Sequence, residues 1–138
     1  MTTPVRSRPV DATDDRIERL FAYGTLQPDR LRWPYLAPCV VGFRPAFVDG
    51  TLYDTGAGWP VATFGRSGHR VPGTLVDLDP TLLAEALGVL DDVESTATNV
   101  LRRIVVTTTA GDRAWTYHCD RPTDEMVRIP RWTGVDER

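Results

Sequence analysis

Apolar and polar positions alternate along the chain in short blocks separated by glycine and proline, a spacing that predicts strands joined by tight turns. Arg19-Leu20-Phe21-Ala22-Tyr23 reads as a buried strand ending at Gly24. Val40-Val41-Gly42-Phe43 and Ala46-Phe47-Val48 read as extended segments around Pro45. Thr51-Leu52-Tyr53 follows the turn pair Asp49-Gly50 and reads as the return arm of a hairpin. A Gly56-Ala57-Gly58 loop leads into an extended Trp59 to Phe64, and a further strand from Val71 to Leu78 is interrupted by Pro72-Gly73. The β-branched run from Arg103 to Thr109 turns at Ala110-Gly111-Asp112 and returns as Arg113 to Cys119. One segment changes period: Asp79 is a cap, Pro80 suits the first helical position, and Leu82, Leu83, Ala86, Leu87 and Leu90 fall on one helical face.

About six strands and one clear helix predict an α+β fold: a small mixed, mainly antiparallel β-barrel with flanking helices. Residues 1–16 are polar and proline-containing, with Asp11, Asp14, Asp15 and Arg16 in quick succession, and read as a disordered tail ahead of a single domain over 17–138. The end of the chain, from Pro122 to Arg138, reads as irregular. Gly-Thr-Leu occurs three times, at Gly24, Gly50 and Gly73, but the flanking residues do not match, so it is not a structural repeat. Glycine before a β-branched and an apolar residue is what a turn entering a strand selects.

Composition narrows the chemistry. At 138 residues a single domain is the default, able to bury roughly two thirds of its unfolded surface. Two cysteines, Cys39 and Cys119, exclude a four-cysteine zinc site, and two histidines, His69 and His118, leave little room for a three-histidine metal centre. A net charge of −3, with scattered basic residues, argues against a general nucleic-acid surface. The N-terminus lacks the apolar core of about 7–15 residues of a secretory signal, and no run approaches the roughly 18 apolar residues that span a bilayer. The expectation is a cytoplasmic protein with reduced thiols and without membrane partners.

Few segments carry chemistry. Tyr23-Gly24-Thr25-Leu26 ends a strand on glycine, where successive backbone N–H groups can face a carboxylate or phosphate oxygen, although four residues alone are equally a plain turn. Leu90-Asp91-Asp92-Val93-Glu94-Ser95 puts three acids where the predicted helix ends, against its dipole. Either this is a solvated helix end or one carboxyl is kept for function; Glu94, where the chain leaves the predicted helix, is then the natural choice, with Asp91 and Asp92 as capping or surface groups. His118 and Cys119 are adjacent in a strand and point to opposite faces, which disfavours a Cys–His pair. There is no Gly-x-Ser-x-Gly elbow, Gly-x-Gly-x-x-Gly loop or Walker A run.

Taken in order, these pieces resemble the gamma-glutamylcyclotransferase-like family over about residues 19–120, and within it the gamma-glutamylamine cyclotransferase branch. Phe21-Ala22-Tyr23-Gly24-Thr25-Leu26 looks like its opening strand and substrate loop. Gly50-Thr51-Leu52-Tyr53-Asp54-Thr55-Gly56 with Trp59-Pro60 looks like its second segment, and Val71-Pro72-Gly73-Thr74-Leu75-Val76 like the strand before its helix. Leu90 to Ser95 is similar to the segment carrying its catalytic glutamate, and Ala114-Trp115-Thr116-Tyr117 to its closing strand. The resemblance implies release of 5-oxoproline from a small gamma-glutamyl amine or related compound, without cofactor or metal. It makes Glu94 the general acid/base, Tyr23, Gly24, Thr25 and Leu26 the substrate loop, and Tyr53, Trp59, Arg102 and Tyr117 further candidates for the pocket.

Two departures stand out. The family commonly carries Tyr-x-Arg after the glutamate, and the aligned segment here reads Val100-Leu101-Arg102, without the tyrosine. The loop continues Gln27-Pro28-Asp29-Arg30, where the family often has a basic residue and a glycine. Arg102 reads either as a partner for Glu94 or a ligand carboxylate, or as a surface arginine. The alternative function is a non-catalytic small-molecule binding module that kept the pocket and lost turnover.

Overall fold

The computed structural model describes residues 17–98 and 101–133, and for residues 93–98 the helical backbone alone. The expected tail over residues 1–16 lies outside the described residues. Seven strands form one mixed sheet: β1 (Arg19–Ala22), β2 (Val40–Asp54), β3 (Pro60–Phe64), β4 (Arg70–Leu78), β5 (Leu101–Thr107), β6 (Arg113–Cys119) and β7 (Val127–Arg128). The order is β3-β2-β4-β1-β6-β5, with β7 on β2, and every pairing is antiparallel except β1 with β6. The sheet curls into a nearly closed barrel. At its open seam the Phe64 N–H of β3 donates to His118 Nδ1 of β6 at 3.2 Å. Two helices complete the α+β fold: a single turn, α1 (Trp33–Leu36), and the long α2 (Leu83–Thr98).

β1 is flanked on both sides, and past Arg19 its residues are apolar because neither face meets water: Leu20, Phe21 and Ala22 are all buried. Alternation sends Phe21, with Val48, Leu52, Val71, Leu75 and Ala114, into the barrel. Leu20 and Ala22 go the other way and pack with Val76, Leu78, Trp115 and Tyr117 against Leu83, Leu87 and Leu90 of α2. Those helix positions are the apolar face read from the sequence, and Asp79 caps the preceding 3-10 turn by accepting from the Thr81 N–H at 2.9 Å.

The structure corrects two boundaries. Asp49-Gly50 is no hairpin turn, because β2 runs unbroken from Val40 to Asp54, leaning on β4 first and then on β3. Gly50 is there for space: a Cβ would collide with the Thr63 carbonyl oxygen and Phe64. Pro72-Gly73 likewise does not interrupt β4; there the Phe21 ring and the Ala22 carbonyl oxygen fill the place of a side chain. The second correction is α2, which continues through Thr98, so Glu94 lies within the helix and not beyond its end. Both thiols, Cys39 and Cys119, are free.

Candidate functional site

The loop after β1 is folded by its own backbone. Gln27 N–H donates to the Gly24 carbonyl at 3.1 Å, and Arg32 N–H returns to the Thr25 carbonyl at 2.7 Å, so residues 24–32 form a compact excursion before α1. Asp29 sits at φ 65°, the left-handed conformation that glycine takes most readily. All four of Tyr23, Gly24, Thr25 and Leu26 are buried. The Tyr23 hydroxyl donates to the Tyr117 carbonyl of β6 at 2.8 Å, which fixes the start of the loop to the neighbouring strand.

A second loop meets the first. Between β2 and β3 the Thr55 hydroxyl donates to the Trp59 carbonyl at 2.7 Å and accepts from the Ala57 N–H at 3.1 Å. Gly56 and Gly58 take φ of 82° and 97° so that this turn can close. It delivers Trp59 and Pro60 against Gly24. The two loops enclose a narrow cavity of about 20 Å³, walled by Tyr23 to Leu26, Arg32, Trp59, Pro60, Leu101 and Tyr117.

The sequence-derived candidates therefore divide. Tyr23, Gly24, Thr25, Leu26, Trp59 and Tyr117 meet at this cavity. Tyr53 does not line it; it stands in β2 opposite Val61 of β3 and Arg128 of β7. Arg102 also lies apart, because it points out from β5 and pairs with Asp120, Nε to Oδ2 at 3.0 Å, with both side chains substantially exposed. That exposed pair holds the Asp120 carboxyl below the usual range through its hydrogen bond with Arg102. The Glu94 side chain lies outside the described residues; its backbone stands in α2, three residues past Asp91.

Two wall residues, Arg32 and Leu101, and Arg103 behind the wall escape a reading from sequence. Arg32 has no motif to mark it. Leu101 and Arg103 are marked only by strand alternation: two apart in β5, they share the face opposite to Arg102. Arg103 is almost buried, its guanidinium 4.4 Å from the Trp115 ring centre. It donates to both oxygens of Asp91, from Nε at 2.8 Å and from Nη2 at 3.1 Å. The Tyr117 hydroxyl donates to the same Asp91 Oδ1 at 2.8 Å. Asp91 is therefore neither a cap nor a solvated helix end but the link between α2, β5 and the cavity wall.

A model of the family described as gamma-glutamyl cyclotransferase, AIG2-like, matches residues 20–133. The chain belongs to that family. The match takes in both loops of the cavity, α2, and the strands that carry Leu101, Arg103 and Tyr117. No curated protein matches the chain. Among solved structures, protein PH0828 from Pyrococcus horikoshii superposes with a TM-score of 0.62 at 20% identity, over 81% of this chain and 85% of that one. The uropathogenic E. coli-specific protein c4763 gives 0.61 at 14% identity, over 87% and 91%. YkqA from Bacillus subtilis gives 0.58 at 19% identity, over 83% of this chain but 39% of the longer YkqA chain. At these identities the likeness is one of fold. Among the described residues, no helix is long and apolar enough to cross a membrane.

Proposed function

We propose that this gamma-glutamyl cyclotransferase family member releases 5-oxoproline from a gamma-glutamyl amine or a related gamma-glutamyl compound, with Glu94 as general acid/base. The observation that carries this reading is the narrow cavity formed by Tyr23 to Leu26 against Trp59, Pro60 and Tyr117. The reaction asks little of the protein, because its nucleophile is part of the substrate. The substrate α-amine attacks its own γ-carbonyl carbon, a C–N bond forms to close the ring, and the bond to the leaving amine breaks. No water is consumed. A walled cavity that keeps the substrate curled supplies most of the advantage by orientation.

Two protons must move. The α-ammonium loses one proton to attack and a second as the lactam N–H is left; the departing nitrogen gains one to leave and a second as it becomes an ammonium. A single carboxylate can carry them in turn, with solvent balancing the last exchange. Glu94 suits that role by its match to the family's glutamate and by its position one helical turn beyond Asp91, which is already bonded to the cavity wall. Backbone N–H groups from Gly24 to Leu26 are the proposed donors to the substrate carboxylate. A non-catalytic binding module is the second reading, and the missing tyrosine favours it. The aligned segment Val100-Leu101-Arg102 has none, and its Arg102 pairs with Asp120 away from the cavity.

A 5-oxoproline release assay over gamma-glutamyl amines, gamma-glutamyl dipeptides and glutathione tests the proposal. Wild type should turn over at least one class, and Glu94→Gln, which keeps size and polarity but cannot shuttle a proton, should lose most of that rate. Equal turnover by both proteins removes Glu94 from the mechanism. An inert wild type that is still thermally stabilised by 5-oxoproline supports the binding module instead.

A further inference from the structure

The acid that α2 directs inward among the described residues is Asp91, and its bonding is unlike that of a surface carboxylate. Its Oδ1 receives both the Tyr117 hydroxyl and Arg103 Nε, at 2.8 Å each, and its Oδ2 receives Arg103 Nη2 at 3.1 Å. Arg103 is held in turn by the Trp115 face. One carboxylate thus joins three elements: the helix, β5 through Arg103, and β6 through Tyr117. Two of those elements also give the cavity its wall, β5 through Leu101 and β6 through Tyr117.

This matters because the bond lies at the start of the acidic second half of α2, on the turn before Glu94. Among the described residues, the buried apolar positions of the helix, Leu83, Ala86, Leu87 and Leu90, precede Asp91. From Asp91 onward the sequence reads Asp-Asp-Val-Glu-Ser-Thr-Ala-Thr, with acids accumulating towards a helix C-terminus, where the dipole disfavours them. A charge-assisted, forked bond from an arginine is the kind of contact that fixes both distance and orientation. Burial of the Arg103 side chain, 10% exposed, strengthens it relative to a surface pair.

We propose that Asp91 is a positioning residue. It clamps the acidic half of α2 onto the barrel and orients the Tyr117 ring, so that the cavity wall and the helical turn bearing Glu94 keep a single arrangement. The role rests on the cyclotransferase reading given above. Asp91 touches no reacting atom; it acts through Tyr117 and through the helix. Displacement of a reacting group by about 1 Å can cost up to roughly a hundredfold in rate.

The test compares wild type, Asp91→Ala, Asp91→Asn, Tyr117→Phe and the Asp91→Ala/Tyr117→Phe double variant, each assayed well below its melting midpoint and corrected for folded protein. Asp91→Ala should lose roughly ten- to a hundredfold in kcat with KM changed little. Asp91→Asn, which keeps an acceptor for the Tyr117 hydroxyl, should recover part of that loss. Tyr117→Phe should cost less in the Asp91→Ala background than alone, because the two residues share one bond. Amide hydrogen exchange should rise in the second half of α2 in Asp91→Ala and much less over Leu83 to Leu90. Independent, multiplying effects of the two substitutions, or unchanged exchange in α2, would overturn the clamp. An inert wild type would refute the cyclotransferase reading instead, and the exchange comparison would still decide whether Asp91 holds the helix.

Discussion

Gly24 and Pro60 touch where no side chain could stand: a Cβ on Gly24 would lie 2.6 Å from Pro60 Cγ and 2.9 Å from its Cδ. The glycine is therefore not demanded by backbone conformation, since Gly24 lacks the positive φ found at Gly56 and Gly58. It is demanded by the approach of two loops. That approach makes the cavity narrow, because the Pro60 ring closes over the loop after β1 and Trp59 is carried with it.

Gly24→Ala should accordingly damage both stability and function. The proline ring is rigid and cannot swing aside as the tip of a long side chain would, so the loops must part. Overpacking of this kind costs about 1–3 kcal/mol. Urea unfolding of the variant should show a lower midpoint at unchanged slope, and release of 5-oxoproline should fall further than stability alone explains. A midpoint equal to wild type would show that the loops separate freely.

His118 gives a pH dependence with a definite sign. Its Nδ1 accepts the Phe64 N–H across the barrel seam, so the imidazole works there as the neutral form. Burial lowers its pKa and the neighbouring Arg102 lowers it further, with Asp120 opposing. The folded protein thus takes up this proton less readily than the unfolded chain, whose histidine titrates near about 6.5. More protons on the unfolded state mean stability that rises with pH. The contribution is complete above that value and declines as pH falls through the window from it to the lowered folded pKa. Melting temperature followed from pH 8 to pH 5, in wild type and His118→Gln, should show a downward bend on acidification that the variant lacks. Parallel curves would remove His118 from the seam.

The strands and the first half of α2 were legible because their signal is local: alternation, Pro80 and Asp79 at the helix start, and Gly111 in the turn before β6, which takes φ 97°. The turn that ends β1 at Gly24 is legible for the same reason. What misled were glycines whose cause is remote. Asp49-Gly50 has the composition of a turn, yet Gly50 answers to Thr63 and Phe64 in another strand. The roles of Asp91 and Arg103 were invisible for a related reason. A carboxylate near a helix end has the same local signature whether it meets water or an arginine 12 positions later. Tyr53 was expected at the pocket through the motif around it, and strand pairing with β3 and β7 sets it elsewhere.

Arg102 and Arg103 offer the sharpest contrast, being adjacent and chemically identical. Alternation of the strand sends one to each face. The Arg102–Asp120 pair has side chains 59% and 46% exposed, so water and salt screen it, and Arg102→Ala should change stability by no more than about 1 kcal/mol. Arg103 is 10% exposed, stacked on Trp115 and forked onto Asp91. Its removal leaves the Asp91 carboxylate uncompensated and strips the Trp115 face. Loss of one partner from a buried pair costs about 3–5 kcal/mol, and Asp91 is 39% exposed, which reduces that to roughly 2–4 kcal/mol. Denaturant unfolding of the two alanine variants at low and high salt separates the cases. Arg103→Ala should be the far less stable of the two at either ionic strength, while any loss in Arg102→Ala should shrink as salt rises. Equal losses for both would mean that the inward arginine contributes no more than an exposed one.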